Sequence, residues 1–363
     1  MATQLLYSHL DGALYVPTSS VPILQAKTDK DIVDVSLTCE RGLNGDIETF
    51  FSASLYAFNG IVELTDVGSL VEEYFRRCDK VADTVTVSFD GVSMDIHFLY
   101  CECTVPDDFD ADSTFLLSSL VQPVHQDSIV TVAAVNHGAE YPFTIKATGH
   151  AVADDVVTVV TKTLSKAFDR NGIVNFSAAE IINWALHKTA EDPGAELRDV
   201  LFFSIEYYGI QKLCCIVPAP AYLTFSFRNV YNVTEYVDVV GVMTTKTDVS
   251  HSLAVCSGRS RHYDRHIDRT YQIQTGPLTP DEVRTFEQFV SSHQVNLCLD
   301  DNDWPVIITD HTCEPSTDDE SLASVKFTWR FADNRPYLFN SLMDGVMPTR
   351  RRIFDDTFSP EYE

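Results

Sequence analysis

The chain has 363 residues and a mass of 40.7 kDa, a length for which two or three domains of about 100–200 residues each are expected. Its 26 Lys and Arg against 53 Asp and Glu give a formal net charge of −27, which disfavours nucleic-acid and anionic-membrane partners. A hydrophobic content of 45% with 22 Phe and 15 Tyr excludes disorder as the general description. We therefore expect a folded, acidic protein that binds neither nucleic acid stably nor a membrane.

The cysteines indicate reduced side chains in the cores of strands. There are nine of them, an odd number, and no pair has the C-x-x-C spacing of a metal or redox site. The first residues lack a basic segment followed by an apolar one, and the apolar run at 213–227 is short and broken by prolines. We expect a reducing compartment, no secretory signal and no membrane span.

The first predicted elements form a β-rich module over residues 31–125, after an N-terminal extension over residues 1–30. An Asn-Gly turn at Asn59 and Gly60 is typical of a hairpin, because glycine adopts a positive φ at little cost. Thr65 then has the position of a helix N-cap. The other predicted elements of this module are strands over 49–56, 61–64, 85–89 and 96–105, and a helical apolar face of Leu70, Val71, Tyr74 and Phe75.

A second module, over residues 126–220, repeats parts of the first. The run NGIVELT at 59–65 recurs as NGIVNFS at 171–177, an offset of 112 residues. The run CTVP at 103–106 recurs as CIVP at 215–218, again at an offset of 112. Two matches at one spacing predict an internal duplication, in which Ser177 and Glu180 of the second copy fit a capping box.

A third β-rich region is predicted over residues 221–347. It has a helix near 280–292, which begins with the clearest capping signal in the chain, Thr279-Pro280-Asp281-Glu282. Strands are predicted over 270–274, 295–299, 306–309 and 324–331, and residues 348–363 form a C-terminal arm. The predicted fold class is mainly β with short covering helices (α+β): a duplicated β-rich module with one helix in each copy, plus a third related β-rich module.

Three clusters of metal-binding residue types occur, and none predicts a site. His262, Asp264 and His266 alternate, so a regular strand would place them on one side, but the arginines around them oppose a cation. The aspartates at 107–112 and 300–303 lack the spacing of a calcium loop and indicate solvated linkers. We expect no metal and no other cofactor.

Catalytic motifs are absent from the sequence. It contains no G-x-S-x-G nucleophile motif, no H-E-x-x-H zinc motif and no phosphate-binding glycine loop. A hydrolase whose catalytic residues meet only in space is a remaining alternative. We predict that the chain is not an enzyme.

Two cationic segments stand out on this acidic chain and predict an interface. One contains Arg259, Arg261, Arg265 and Arg269; the other, in the C-terminal arm, contains Arg350, Arg351, Arg352, Phe354 and Phe358. Arginine suits bidentate contacts with carboxylates on an identical or neighbouring subunit. The alternative is a solvated basic surface that contributes little energy.

The C-terminal third carries a family resemblance. The runs that carry it are FRNVYNVTE at 227–235, RTY at 269–271, TGPLT at 275–279, IITD at 307–310 and DDESLASVKFTWRFAD at 318–333. Together with the Asn-Gly-Ile-Val units, these runs resemble poorly characterised structural tail proteins of phages and prophages of gut Bacteroidales, over about residues 35–335. The resemblance supplies no functional residues.

The resemblance implies a structural virion protein of a bacteriophage tail. Such a protein would form a ring, hub or baseplate component from copies of itself, contact other tail proteins and assemble in the host bacterial cytoplasm. The unpaired edges of β-rich modules suit such assembly. The alternative function is a carbohydrate-binding β-module protein for host-surface attachment, which the count of only three tryptophans disfavours.

Overall fold

The computed structural model describes residues 3–7, 15–41, 46–106, 108–135, 142–151, 156–164, 172–187, 197–217, 223–299, 302–313 and 323–333. Within these residues the chain is mostly β, with 22 strands in several sheets and three α-helices. The helices are α1 (Val67–Cys78), α2 (Ala178–Leu186) and α3 (Pro280–Ser291). The strands are β1 (Gln4–Leu5), β2 (Val16–Pro17), β3 (Ile23–Lys27), β4 (Ile32–Arg41), β5 (Asp46–Tyr56), β6 (Ile61–Thr65), β7 (Ala82–Phe89), β8 (Val92–Leu99), β9 (Val121–Val124), β10 (Ile129–Ala133), β11 (Phe143–His150), β12 (Val157–Leu164), β13 (Ile173–Ser177), β14 (Phe202–Tyr207), β15 (Ile210–Ile216), β16 (Leu223–Arg228), β17 (Thr234–Val239), β18 (Gly241–Cys256), β19 (Arg259–Thr275), β20 (Val295–Leu299), β21 (Asn302–Cys313) and β22 (Val325–Phe331).

The first five-stranded sheet has one buried face and one exposed face. Its order is β2-β8-β7-β4-β5, with β4 antiparallel to both β5 and β7. Alternation along β4 buries Val33, Val35 and Leu37 on one face, against α1 and against β3 and β6 of a smaller three-stranded sheet. On the opposite face, Asp34 accepts a hydrogen bond of 2.6 Å from Ser54.

The second five-stranded sheet has the order β9-β15-β14-β11-β12, which matches that of the first strand for strand. Strand β10 pairs with β13 as β3 pairs with β6, and α2 follows β13 as α1 follows β6. Phe143 lies in van der Waals range of both Phe176 and Tyr207, with ring centroids 5.4 Å and 5.0 Å away. These aromatic contacts connect β11 with β13 and β14.

A seven-stranded sheet follows, in the order β17-β16-β20-β21-β22-β19-β18. Helix α3 covers one face: Phe289 has its ring centroid 5.3 Å from that of Phe225 and 5.2 Å from that of Phe327. Trp329 is fully buried and stacks on Tyr271 at 4.4 Å. This aromatic core is separate from the aliphatic core below α1.

The helix starts differ in how well the sequence predicted them. The capping box of α3 is confirmed, because Thr279 and Glu282 satisfy each other's backbone N–H groups. At α2, Ser177 accepts from the Glu180 N–H at 3.4 Å. The predicted N-cap of α1, Thr65, is wrong, because Thr65 is the last residue of β6. The N-cap is Asp66, which lies in the left-handed region at φ 57° and makes no side-chain cap.

The chain divides into two compact units. Unit 1 comprises Met1–Leu120, Val130–Leu213 and Arg228–Glu235, and unit 2 comprises Val121–Ile129, Cys214–Phe227 and Tyr236–Glu363. The aliphatic core lies in unit 1 and the aromatic core in unit 2. The boundaries predicted for three modules and an arm remain predictions, and the arm lies outside the described residues.

Candidate functional site: the β18–β19 ribbon

Strands β18 and β19 form a long antiparallel hairpin that extends past its sheet. The two strands pair from Gly241 with Thr275 to Cys256 with Arg259, around a turn at Ser257 and Gly258 that has positive φ at both residues. The neighbouring strand β22 pairs with β19 only over Tyr271–Gln274. We call residues 247–256 and 259–269 the distal ribbon; at about 3.4 Å per residue it is roughly 30 Å long.

Both outer edges of the distal ribbon lack a sheet neighbour in the part of the chain that the structure describes. Strand β18 is the last strand of its sheet, and β19 loses β22 beyond Tyr271. No described residue of the distal ribbon is buried. Unpaired backbone N–H and C=O groups over this length are a template for another chain, and a monomer would ordinarily shield them.

On one face of the distal ribbon, β18 presents three exposed apolar side chains beside the histidine pair His251 and His262. This face continues the core side of the sheet, because Val249, Leu253 and Val255 alternate in phase with Met243, which packs against the aromatic core. Their exposed fractions are 48%, 62% and 76%, and Ile267 pairs with Val249 on the same face. An apolar strip of this kind usually marks an interaction surface.

The four arginines predicted as an interface lie on this ribbon. Arg259 and Arg261 are exposed near its tip, opposite Cys256 and Ala254, and neither guanidinium has a hydrogen bond or ion pair among the described residues. Arg269 lies at the base, two residues before Tyr271; burial raises the pKa of Tyr271, and the nearby guanidinium opposes that rise. Arg265 pairs with His251 in the backbone register.

The second predicted interface segment lies outside the described residues. It comprises Arg350, Arg351, Arg352, Phe354 and Phe358 of the C-terminal arm. Its role therefore stays a prediction.

The prediction that His262 and His266 lie on the same side of a strand is wrong. A bulge at Ser252 and Leu253 shifts the register, so Leu253 pairs with His262 while Ser250 pairs with His266, and these partners lie on opposite faces. The ring of His262 instead lies 4.5 Å from that of His251. Nowhere in the described ranges do three or more His, Cys, Asp or Glu side chains form a group that could hold a metal ion.

The thiols of Cys39 and Cys298 do not favour nucleophilic chemistry. The eight described cysteines other than Cys256 are not in disulfides. Burial raises the pKa of Cys39 to about 11 and that of Cys298 to about 12, so both are protonated at neutral pH. Lys80 donates a hydrogen bond of 3.3 Å to the Cys39 sulfur and also contacts the Glu40 carbonyl and Asp83.

None of the three tryptophans has the fully exposed ring that a sugar-binding surface presents. Trp329 is fully buried, Trp304 is half-buried, and half-buried Trp184 of α2 lies under Lys162, whose Nζ is 5.2 Å from the ring centroid. A carbohydrate-binding face normally presents open aromatic rings, and the described tryptophans do not form one. Among the described residues, Tyr56 and Phe58 are the most exposed aromatic side chains, at 79% each.

A buried polar cluster in unit 1 was not predicted from the sequence. Asn229 donates from Nδ2 to the Leu116 carbonyl at 3.0 Å and to Glu235 at 2.6 Å, and its Oδ1 accepts from the N–H groups of Tyr231 and Val233. Asn232 donates to the Lys80 carbonyl at 2.9 Å. These residues belong to the FRNVYNVTE run, whose Asn-x-x-Asn spacing was the available signal.

Glu235 is the charged centre of this cluster. Its oxygens accept from the backbone N–H and the hydroxyl of Ser118 at 2.8 and 3.0 Å. Burial raises the pKa of Glu235, while the nearby charge of Lys212 and these hydrogen bonds lower it. Lys212, itself buried, donates to the Thr131 carbonyl at 2.9 Å. Every named group is satisfied inside the protein, so the cluster holds Arg228–Glu235 in unit 1 and is not an open site.

No helix in the described part of the chain combines the length and the apolar character needed to cross a membrane.

The chain has distant likenesses to known proteins. No family model matches the chain, and no curated protein matches it. Among solved structures, the chain is similar to chains from the virion of a native gene transfer agent particle and from the C6-symmetric tail of an empty particle of that agent. Each is 12% identical; the match covers 30% of this chain and 88% or 89% of the other, with TM-scores of 0.20 and 0.21.

A third likeness spans more of the chain. It is to a complex of Dpr2 Ig1-Ig2 with DIP-Theta Ig1-Ig3, at 11% identity and a TM-score of 0.19, covering 91% of this chain and 89% of the other. At these TM-scores none of the three likenesses supports an argument about fold or function.

Proposed function

We propose that the chain is a structural virion protein of a bacteriophage tail, a ring, hub or baseplate component that acts by protein–protein assembly and not as an enzyme. The observation that carries the proposal is the distal ribbon, which exposes two free strand edges, an apolar face and unpaired Arg259 and Arg261. A surface of this composition is costly for a lone molecule and useful to one that assembles. The sequence resemblance to phage tail proteins supplies the biological setting.

The proposed scaffold is a duplicated module. The two five-stranded sheets share their strand order, and their helices follow equivalent strands. Gly60 and Gly172 have φ of 76° and 72°, and each carbonyl accepts a backbone hydrogen bond from the preceding strand region, at Thr28 and Ala134. A repeated module provides several similar edges for neighbouring subunits, which suits closed assemblies.

The proposal includes the partners and the location. Copies of the chain form the assembly, other tail proteins contact it, and the finished protein resides in the virion after assembly in the bacterial cytoplasm. The net charge of −27 favours a protein to which DNA does not adhere.

Removing the distal ribbon tests the proposal. Lys246 and Thr270 pair across the hairpin, so residues 247–269 can be replaced by Asn-Gly, a two-residue turn that closes the shortened hairpin. Sedimentation velocity over a wide concentration range measures the oligomeric state. We expect the intact chain to form a defined oligomer and the shortened chain to remain a monomer.

A monomeric shortened chain supports the proposal only if the shortened chain is folded. Its circular dichroism and thermal unfolding should match those of the intact chain, because no described residue of the distal ribbon belongs to a core. An intact chain that stays monomeric at all concentrations contradicts the proposal. So does a shortened chain that assembles equally well.

A further inference from the structure

A second exposed apolar patch lies in unit 1, on the first five-stranded sheet. Ile32 of β4 and Tyr56 of β5 are directly paired, and their exposed fractions are 46% and 79%. Phe58, also 79% exposed, follows two residues later. Side chains of paired residues lie about 5 Å apart, so Ile32 and Tyr56 form one continuous apolar surface, with Phe58 next in the chain.

Two exposed carboxylates flank this patch. Asp31 directly precedes Ile32, and Asp34 lies two residues further along β4, on the same face as Ile32. Asp34 accepts one hydrogen bond, from Ser54, while Asp31 has no side-chain partner among the described residues. We call Asp31, Ile32, Asp34, Tyr56 and Phe58 the acceptor patch.

The acceptor patch complements the distal ribbon in chemistry. The ribbon offers Val249, Leu253 and Val255 as its apolar face, and residues 249–263 contain two arginines and no acidic residue on a chain of net charge −27. The patch offers aromatic and aliphatic side chains beside carboxylates. Aromatic residues and arginine are also the types that contribute most to protein interfaces.

The width of the ribbon allows both contacts at once. Arg259 and Arg261 pair with Cys256 and Ala254, so they lie on the face opposite Val249, Leu253 and Val255. The two strands are about 5 Å apart, and no described strand flanks β19 on its outer side near these arginines. Long arginine side chains reach around such a free edge while their stems stay on the strand. The apolar face can therefore cover Tyr56 and Phe58 while the guanidinium groups meet Asp31 and Asp34 in bidentate pairs.

We propose that the distal ribbon of one copy docks on the acceptor patch of a second copy of this chain. The contact is heterologous, because a ribbon binds a different surface, and repetition of a heterologous contact gives a ring if the rotation closes. The inference rests on the proposed assembly function and specifies its interface. Charge complementarity between the cationic tip and the acidic surface favours a second copy as the occupant.

Charge reversal on each side tests the docking. In the full-length chain, R259E with R261E makes the tip acidic, and D31R with D34R makes the patch basic. Each double variant should raise the dissociation constant for self-association about a hundredfold, because like charges meet in the contact. The chain with all four changes should recover most of the affinity, since the pairing is restored with its polarity reversed.

An apolar pair provides a second test with a matched control. Y56S with F58S removes the exposed aromatic side chains and should weaken association about thirtyfold. V157S with V159S changes two valines of β12 that are exposed to 56% and 55%, and should leave association unchanged. Sedimentation velocity gives the affinities, and thermal unfolding shows that each variant is folded.

The outcomes separate this inference from the proposed function. If the unaltered chain assembles but both reversals assemble equally well, the ribbon serves a different partner and the docking proposal is overturned, while the assembly function stands. If both double variants lose association and the fourfold variant does not regain it, the direct pairing is also overturned. An unaltered chain that never self-associates overturns both.

Discussion

Glu235 is a carboxylate held in the interior of unit 1 by three hydrogen bonds, from the Ser118 backbone, the Ser118 hydroxyl and Asn229. An ionised carboxylate without such donors is costly to bury, and here Lys212 adds a compensating charge. Loss of Asn229 would leave Glu235 short of a donor and the Leu116 carbonyl without this partner. The cluster therefore stabilises one arrangement of the segment Arg228–Glu235.

The raised pKa of Glu235 makes stability depend on pH. The folded state holds the carboxyl proton more tightly than the unfolded state, so the free energy of unfolding falls as the pH rises from the ordinary value of about 4.5 through the raised folded value. E235Q removes this titration and has a similar shape, with its amide oxygen available to the N–H donors of Ser118 and Asn229 and its amide NH2 facing the Ser118 hydroxyl. We predict that its urea midpoint falls less than that of the unaltered chain over this rise in pH.

Glu73, an exposed residue of α1, supplies the control for this measurement. E73Q removes one exposed carboxylate without touching the buried cluster, so it controls for the loss of a negative charge as such. If the urea midpoints of E235Q and of the unaltered chain changed with pH in the same way, the buried carboxyl would not titrate in this range.

At the scale of elements, the turns before β6 and β13 require glycine for two reasons. Gly60 and Gly172 both have positive φ, which costs other residues about 1–2 kcal/mol. A Cβ at Gly60 would lie 3.2 Å from the Thr28 carbonyl oxygen, and one at Gly172 would lie 2.3 Å from that of Ala134. The second distance is a steric clash with backbone.

These distances predict a ranking of alanine variants. G91A, at a hairpin turn with φ 82° and open space around it, should lower the free energy of unfolding by about 1 kcal/mol. G60A should cost slightly more, and G172A about 3 kcal/mol, because the chain must also move away from Ala134. Urea denaturation measures all three. Equal costs for G172A and G91A would contradict the close approach at Ala134.

The same elements show what the sequence could predict. Helix α3 carries its start signal in four consecutive residues, Thr279-Pro280-Asp281-Glu282, and the structure confirms it. Helix α1 has no such signal, because Asp66 adopts a left-handed conformation that depends on the packing of Val67 and Gly68 and not on a side-chain cap. A cap that tertiary packing sets leaves no local pattern.

The distal ribbon was harder to predict. Residues 259–269 are strand, but both faces are exposed, so arginines and histidines replace the apolar alternation that reveals a half-buried strand. The bulge at Ser252 and Leu253 likewise has no sequence signal, and it moved His262 away from its predicted side. The arginines were identified as interface candidates from charge alone, which predicts a solvent-facing position but not a hairpin.

At the scale of the whole molecule, two electrostatic effects oppose each other when copies meet. Each copy carries a net charge of −27, so copies repel one another over a Debye length, about 30 Å at 0.01 M salt and about 8 Å at 0.15 M. The proposed ion pairs, which join Arg259 and Arg261 to Asp31 and Asp34, are attractive but act only at contact distance. Docking also removes water from these side chains. Salt screens pairs of that kind less than it screens the long-range repulsion.

Because salt weakens the long-range repulsion more than the contact pairs, added salt should favour assembly. We predict that self-association of the unaltered chain becomes about tenfold tighter when salt rises from about 0.01 M to about 0.15 M, the reverse of the usual weakening of ion-paired contacts. Sedimentation velocity at a series of salt concentrations measures this change. R259E with R261E, which adds negative charge and removes the attractive pairs, should show a steeper response. A steady loss of association with added salt would mean that local pairs outweigh the charge of the whole molecule.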